Sequence, residues 1–451
     1  MKSSQIVLMS AFLLSAAILS GQDNREYKLR LDIPLIDLPQ NIDLPYRYPS
    51  MNQALEFSSG MYDLAFWGID ELGDAVFTSR SKPETRFGRF SNNAFKYALG
   101  LGFSKYGSEL PIPLGVWAHE EYHRAVLGTA GVSSKNGNWF LSRWDGTVYG
   151  ISDMTLEELK TTGLDNLLYS YVAGVQYEIN LNERIAISDF YFERSLPKAS
   201  LLLYNAWYVY NYFRFSASPA SDSVKVLAPP HEDANPAERD YAGADLNAWI
   251  HDMFNPDLPY TERDPFPGGE GVNRRIGFSD LSSEEQDYLN RQKNLSLLNF
   301  LNPGIFFIDR IKISEGFSFN FFTQYSPTHF GNDIALYVPV RFRRFGIMAN
   351  AHRYSNKSDT GFGAGLSLYN LGGSGKLRSE LRLNVWSQPE SFFSDSMVSG
   401  GYAGIRTWYL FSDSFSGFVS VSGKTKGWLL GNPYLDKNAS FQAGLSYELL
   451  K

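Results

Sequence analysis

Residues 377–385 read LRSELRLNV, and in this stretch apolar and charged side chains alternate almost strictly. Leu, Ser, Leu, Leu and Val fall on one face of an extended chain, whereas Arg, Glu, Arg and Asn fall on the other. Because successive side chains of a strand point to opposite faces, the pattern predicts a β-strand with one apolar and one polar face.

The same alternation recurs through the C-terminal part of the chain, residues 311–451. It occurs in eight segments, near 317–325, 334–343, 345–354, 360–370, 376–387, 398–411, 415–424 and 439–450. Each has roughly ten residues, the length of a tilted strand that crosses a bilayer. The connections near 344, 373 and 413 are tight, and those near 327, 357, 389 and 433 are longer. We therefore predict an eight-stranded antiparallel β-barrel at 311–451.

This region resembles the small outer-membrane β-barrels of Gram-negative bacteria, which have short periplasmic turns and longer external loops. The resemblance implies outer-membrane lipid as a partner. With an even strand number, it also implies that residues 22–310 lie in the periplasm, on the side of Lys451. A soluble barrel or sandwich is the alternative, and it would expose Arg378, Glu380 and Arg382. In a membrane barrel these three would face the interior and pair with each other.

The N-terminus is typical of an exported protein. Residues 1–21 have the pattern of a secretory signal peptide: Lys2, an apolar run at 6–19, and then small residues. A retained N-terminal anchor is the alternative. The chain has no cysteine, which excludes disulfides and thiolate ligands. The net charge of −7 argues against a nucleic-acid partner, because phosphate binding needs a basic face.

The residues between these two ends are mainly helical in pattern. Residues 22–50 form a Pro-containing lead-in, and 51–310 are predicted as a helical domain with a long irregular segment at 218–277. Apolar spacing predicts helices at 112–127 and 163–182, and a capping box at Ser282 and Glu285 begins another. Residues 198–215 suit a helix or a strand. The predicted fold class is thus α+β, multidomain, with a helical domain followed by a barrel.

A metal-binding motif lies in the first of these helices. Residues 115–127 read GVWAHEEYHRAVL. On a helix, His119 and His123 point the same way and can share one zinc ion, while Glu120 lies beside the first ligand. This HExxH pattern resembles that of zinc metallopeptidases. The resemblance implies that Glu120 is the general base for a zinc-activated water. An accidental match on a solvated helix is the alternative.

A third zinc ligand must come from elsewhere in the chain. Val126 and Thr129 stand where the extended HExxHxxGxxH pattern needs Gly and His. The apolar stripe of the helix at 163–182 continues onto Glu178, and Ala173-Gly174 just before it permits close approach of a neighbouring helix. We expect Glu178 to be the ligand, a layout that resembles the gluzincin group of metallopeptidases.

Several alternatives remain open at this point. Glu178 could instead be a structural carboxylate that pairs with Arg184 or Lys198. Further ligand or oxyanion-donor candidates are His231, His251, Tyr204 and Tyr208. The leading hypothesis is a zinc metallopeptidase that acts on periplasmic or outer-membrane protein or peptide. The alternatives are a non-catalytic outer-membrane protein with a scaffold domain, and a hydrolase of amides in lipid or cell-wall material.

Overall fold

The computed structural model describes residues 27–44, 49–77, 85–140, 144–192, 195–343, 345–371 and 375–450. The predicted signal peptide, residues 1–21, lies outside the described residues. Helices make up most of the N-terminal half, and a large antiparallel sheet forms the C-terminal part. This much of the predicted fold class is confirmed.

The helices of the N-terminal half pack around one apolar core. The main ones are α1 (Met51–Phe77), α2 (Arg86–Gly102), α3 (Gly115–Thr129), α4 (Asp153–Tyr191), α5 (Leu196–Ser216), α6 (Asp245–Phe254) and α7 (Ser283–Ser296), with single turns at Gln40–Asp43 and Asp222–Lys225. Within the described part of the chain, no helix combines the length and the apolar character needed to cross a bilayer.

Most of the predicted helices are present. Helix α3 confirms the helix at 112–127, and α7 begins with the predicted capping box at Ser282 and Glu285. The helix at 163–182 extends to 39 residues as α4, with non-helical backbone angles at Gly163. The ambiguous residues 198–215 are helical, in α5. The segment 218–277 is not irregular throughout, because it contains α6.

The strands form one large sheet and one small hairpin. The hairpin pairs β2 (Lys135–Asn138) with β3 (Trp144–Tyr149). The large sheet contains β1 (Tyr27–Leu38), β4 (Ile311–Ser314), β5 (Phe317–Phe319), β6 (Phe322–Thr328), β7 (Gly331–Phe342), β8 (Phe345–Ser355), β9 (Thr360–Leu371), β10 (Leu377–Pro389), β11 (Met397–Leu410), β12 (Phe415–Lys424) and β13 (Asn438–Leu450).

The predicted eight-stranded closed barrel is not confirmed. The large sheet has eleven strands among the described residues, in the order β1-β13-β12-β11-β10-β9-β8-β7-β5-β4, and β6 also pairs with β7. No ladder joins β1 to β4 in the part of the chain that the structure describes. Strand β1 comes from the predicted lead-in and pairs with β13. Helix α1 packs on β1, where the Gln53 side-chain amide donates to the Pro34 carbonyl at 3.3 Å.

The polar face of the sheet points inward, toward the helices. Arg378 on β10 is buried and donates to Glu448 on β13 at 2.8 Å. Arg382 lies 3.6 Å from Glu183 on α4, and Glu380 lines a cavity of about 320 Å³ between the sheet and the helices. The prediction that Arg378, Glu380 and Arg382 pair with each other is therefore wrong, because α4 and β13 provide the closest opposite charges for the two arginines.

The apolar face of the sheet points outward. On β10, the residues directly before and after Val385 face inward, whereas the Val385 side chain is 64% exposed. Large apolar side chains are exposed on strands across the whole sheet, among them Ile33, Leu35, Leu336, Phe362, Val385, Ile405, Val419, Val421, Phe441 and Leu445. A soluble sandwich would have the opposite arrangement, with this face buried.

Helix α4 connects the two ends of the sheet. The Tyr169 hydroxyl donates to the Asn432 carbonyl at 2.8 Å, in the connection between β12 and β13. Near the other end of α4, the Tyr191 hydroxyl donates to the Ile347 carbonyl, close to the turn between β7 and β8. At 1.5 Å per residue, these two tyrosines are about 33 Å apart along the helix.

The connections between strands define these two ends. We call the end with connections 329–330, 356–359, 390–396 and 425–437 the upper end, and the end with 315–316, 343–344, 372–376 and 411–414 the lower end. The connection predicted to be long near 327 is only two residues, 329–330.

Candidate metal centre

Helix α3 carries the HExxH motif in a fully packed environment. His119, Glu120 and His123 are all buried, and the two histidine side chains contact α4. Because one helical turn separates the two histidines, their rings lie on the same face, with centroids 4.9 Å apart. The two imidazoles thus come together as the motif predicts.

Gly174 on α4 lies directly against both rings. A Cβ atom at this position would be 2.2 Å from His119 Nε2 and 2.3 Å from His123 Nε2. Any larger residue would therefore fill the space in which the two ring nitrogens converge. The expected close approach of helices at Ala173-Gly174 is confirmed.

Asp245, the first residue of α6, completes the cluster. Its Oδ2 lies 3.5 Å from His123 Nε2 and 3.9 Å from His119 Nε2. One ligand atom from each of these three residues lies within 4.8 Å of the others. The Tyr212 hydroxyl on α5 donates to Asp245 Oδ2 at 2.6 Å and orients the carboxylate. Among the described residues, this is the group of side chains suited to hold a metal ion.

The opposite nitrogen of each imidazole has its own partner. His119 Nδ1 lies 3.2 Å from Glu178 Oε1 on α4. His123 Nδ1 lies 2.5 Å from the Ser170 carbonyl oxygen and 3.1 Å from the Tyr241 hydroxyl. A carboxylate or carbonyl that accepts from Nδ1–H fixes the tautomer with a free lone pair on Nε2. Both Nε2 atoms are thereby directed toward Asp245.

Glu178 is at the site, but on the far side of His119 from Asp245. It does not belong to the group of ligand atoms within 4.8 Å of one another, so its predicted role as a zinc ligand stays a prediction. The two alternative partners are engaged elsewhere, because Arg184 donates to Glu56 and Lys198 lies 2.8 Å from Asp63. The contact of Glu178 with His119 Nδ1 leaves His119 Nε2 on the side of Asp245.

Glu120 and Glu121 have different environments although they are adjacent. Burial raises the pKa of Glu120 well above its usual range; His119 opposes this, and Asp245 adds to it. Glu121 lies on another side of α3, where it accepts from Arg124 and from Asn136. Of these two acidic residues, Glu120 is therefore the one that interacts electrostatically with His119 and Asp245.

The cluster places three buried carboxyl groups, those of Glu120, Glu178 and Asp245, beside two imidazoles. Burial alone would lower the pKa of His119, but Glu178 and Asp245 outweigh it and raise the pKa well above its usual range. Burial lowers the pKa of His123 to about 4, against the opposing effect of Asp245. Burial alone would raise the pKa of Asp245, yet the two histidines hold it below its usual range. A bound cation would compensate such a group of carboxylates.

The other sequence candidates lie at or beyond the edge of this cluster. The Tyr208 ring contacts the His119 ring edge-on, with centroids 6.0 Å apart. The Tyr204 hydroxyl is 3.5 Å from that of Ser108. His251 lies next to Asp252, with its Nδ1 3.2 Å from the carboxylate, and His231 is exposed in a loop.

Sequence reasoning missed Asp245, Tyr212 and Tyr241. A signal for α6 was present, because apolar residues recur there at helical spacing. They are Leu246, Trp249, Ile250 and Met253. The Pro-, Asp- and Gly-rich flanks on both sides concealed this helix, and with it the acidic residue at its start.

The donor set fits zinc. Two imidazole nitrogens and one carboxylate oxygen are a common set for catalytic zinc, which has three protein ligands and one open position. Bonds of about 2 Å in tetrahedral geometry separate ligand atoms by roughly 3.3 Å, close to the separations around Asp245. In comparisons with protein-family models, curated proteins and solved structures, nothing matches this chain.

Proposed function

We propose that the protein is a zinc-dependent hydrolase, and most specifically a metallopeptidase. One observation carries the proposal: Asp245 Oδ2 lies 3.9 Å from His119 Nε2 and 3.5 Å from His123 Nε2, and both rings pack against Gly174, which has no side chain. The acidic residue of the same motif, Glu120, lies beside the first histidine. A chance HExxH sequence has no reason to acquire this third ligand and these orienting partners.

Each residue has a separate part in the proposed reaction. His119, His123 and Asp245 would hold zinc, and the ion would supply polarisation of a water and of the carbonyl of the scissile bond. Glu120 accepts a proton from the attacking water while the water oxygen bonds to the carbonyl carbon. It returns the proton to the nitrogen as the carbon–nitrogen bond breaks. Glu178 and Ser170 fix the two rings, and this positions the ligands before substrate binds.

Peptide is the favoured substrate class because the motif resembles that of metallopeptidases. An amide in lipid or cell-wall material presents the same bond to the same site. A non-catalytic scaffold with a structural metal is a second candidate, favoured by the burial of His119 and Glu120, which are 4% and 7% exposed. In that case zinc would contribute to stability and no substrate would be cleaved.

The outer membrane is the proposed location. Outward apolar strands of 10 to 14 residues, as in β10 to β13, are long enough for a tilted crossing of a bilayer. Inward Arg and Glu residues on the same strands suit a polar interior. Outer-membrane lipid is therefore the proposed occupant of the apolar face.

The test of hydrolysis is Glu120→Gln, with Glu121→Gln as the matched control. Both variants neutralise one buried acidic residue of the motif, but only Glu120 borders the proposed ligands. We expect Glu120→Gln to lower kcat by at least about 100-fold, the lower range for general acid–base catalysis, and to keep stoichiometric zinc. Glu121→Gln should keep activity. The measurement is cleavage of a denatured-protein or peptide mixture by the zinc-loaded full chain.

Three results would count against the proposal. Full activity of Glu120→Gln rejects Glu120 as the base. A zinc-loaded wild type that cleaves no peptide but unfolds with a chelator supports the scaffold. Cleavage of lipid or cell-wall amides, and not of peptides, moves the same centre to the other substrate class.

A further inference from the structure

The metal centre lies at the upper end of the large sheet. Gly174, which borders both histidines, is two residues from Gln176, whose side chain donates to the Pro327 carbonyl at 2.7 Å. Pro327 pairs with Asn332 next to connection 329–330, which belongs to the upper end. Helix α4 runs on from here to Tyr191 at the lower end, about 26 Å from Gly174.

The helical region around the centre packs on the upper connections. Lys357, in connection 356–359, lies 3.0 Å from Glu284 of α7. Phe392, in connection 390–396, contacts the Phe254 ring of α6 with centroids 4.9 Å apart. Strand β1 also ends at the upper end, because Leu38 pairs with Phe441 beside connection 425–437. The chain continues from there into the helical region.

The connections at the two ends of the sheet differ in length. Three of the upper connections, 356–359, 390–396 and 425–437, have from four to thirteen residues, and α7 and α6 pack on the first two of them. The lower connections have two to five residues. Outer-membrane barrels have short turns on the periplasmic side and their longer loops outside the cell.

We infer that the metal centre faces the outside of the cell and acts on extracellular protein or peptide. This inference rests on the proposed outer-membrane location. It differs from the sequence expectation, which assigned residues 22–310 to the side of Lys451; the centre lies at the end opposite Leu450, which pairs with Tyr27 at the lower end. The substrates are then proteins or peptides outside the cell, whereas the lower end of the sheet faces the periplasm.

The absence of cysteine makes this inference testable with single-cysteine variants. Ser358 and Ser412 are both exposed, and each lies in a four-residue connection, at the upper and the lower end respectively. The full chain with Ser358→Cys or Ser412→Cys is produced in a Gram-negative host. Intact cells and cells with a permeabilised outer membrane are treated with a membrane-impermeant maleimide. The unmodified chain gives the background, since it has no thiol.

We expect Ser358→Cys to be labelled in intact cells and Ser412→Cys only after permeabilisation. The reverse pattern overturns the inference and leaves the outer-membrane location intact. Labelling of both variants only after permeabilisation, or recovery of both from a soluble fraction, overturns the location as well. None of these results depends on hydrolysis, so a failure of the topology is distinguishable from a failure of the zinc chemistry.

Discussion

Gly174 is the residue on which the proposed metal centre depends most directly without being a proposed ligand. Its missing side chain allows both imidazole rings to pack against α4, because a Cβ atom here would lie 2.2 and 2.3 Å from their Nε2 atoms. Replacement of Gly174 by Ala changes neither the charge nor the hydrogen-bonding groups of the site. A substitution at this position therefore tests the space that the proposed centre requires, without changing the charges around it.

We predict that Gly174→Ala weakens zinc binding and lowers the free energy of unfolding by about 1–3 kcal/mol, the usual cost of overpacking. The new methyl group forces the rings apart. Gly68→Ala is the matched control, because Gly68 is an exposed residue of α1 and a Cβ atom added there would have no neighbouring atom within 4 Å; it should stabilise the fold by up to about 1 kcal/mol. Calorimetric zinc titration and chemical unfolding provide the measurements. Unchanged zinc affinity in Gly174→Ala would show that the ion does not bind between these rings.

Helix α6 is the element that brings Asp245 to the two histidines, and Asp252 attaches this helix to α4. Two oxygens of Asp252 accept from Arg263 at 2.8 Å, and one accepts from Lys160 of α4 at 3.0 Å. The Tyr171 hydroxyl donates to the same carboxylate. Burial alone would raise the pKa of Asp252, but Arg263 and Lys160 hold it well below its usual range.

Asp252→Asn should lower the free energy of unfolding by about 3–5 kcal/mol at neutral pH, because two buried cations lose their partner. Since the pKa of Asp252 is lower in the folded than in the unfolded chain, its contribution is complete above about pH 4 and decreases as pH falls. The difference between wild type and variant should therefore narrow in acid. Chemical unfolding at several pH values measures it.

Asp257→Asn is the control for this helix, since Asp257 is exposed just beyond α6 and its change should cost no more than about 0.5 kcal/mol. A wild-type-to-variant difference for Asp252→Asn that stays constant down to pH 2 would contradict the charged state assigned to the buried carboxylate.

Elements with a strong local pattern could be predicted from the sequence, and those defined by distant contacts could not. The spacing of His119 and His123 predicts one shared face because both lie on one helix. Asp245 reaches them only through the packing of α6, and no local spacing reports that contact. In β1, Leu29, Leu31 and Ile33 alternate with polar residues, but the closely spaced prolines favoured a lead-in. Proline is tolerated there because β1 is the outermost strand in the sheet order.

At the scale of the whole molecule, the distribution of polarity is the main finding. The sheet turns charged side chains such as Arg378 inward and apolar ones such as Val385 outward, and α4 passes along its inner side. The sequence predicted this two-faced pattern. It did not predict the number of strands, because β1 joins from the predicted lead-in, β4 lies before the first predicted segment, and the segment near 317–325 divides into β5 and β6. It also did not predict the partners of the inward charges, which lie on other elements.

The most direct test of the account is the position of zinc in crystals of the full chain, located by anomalous scattering at the zinc edge. We predict one ion per chain, bonded to His119 Nε2, His123 Nε2 and an Asp245 carboxylate oxygen at about 2.0–2.2 Å. An ion bonded to His119 Nδ1 and Glu178, or no ion at this position with zinc in excess, would contradict it.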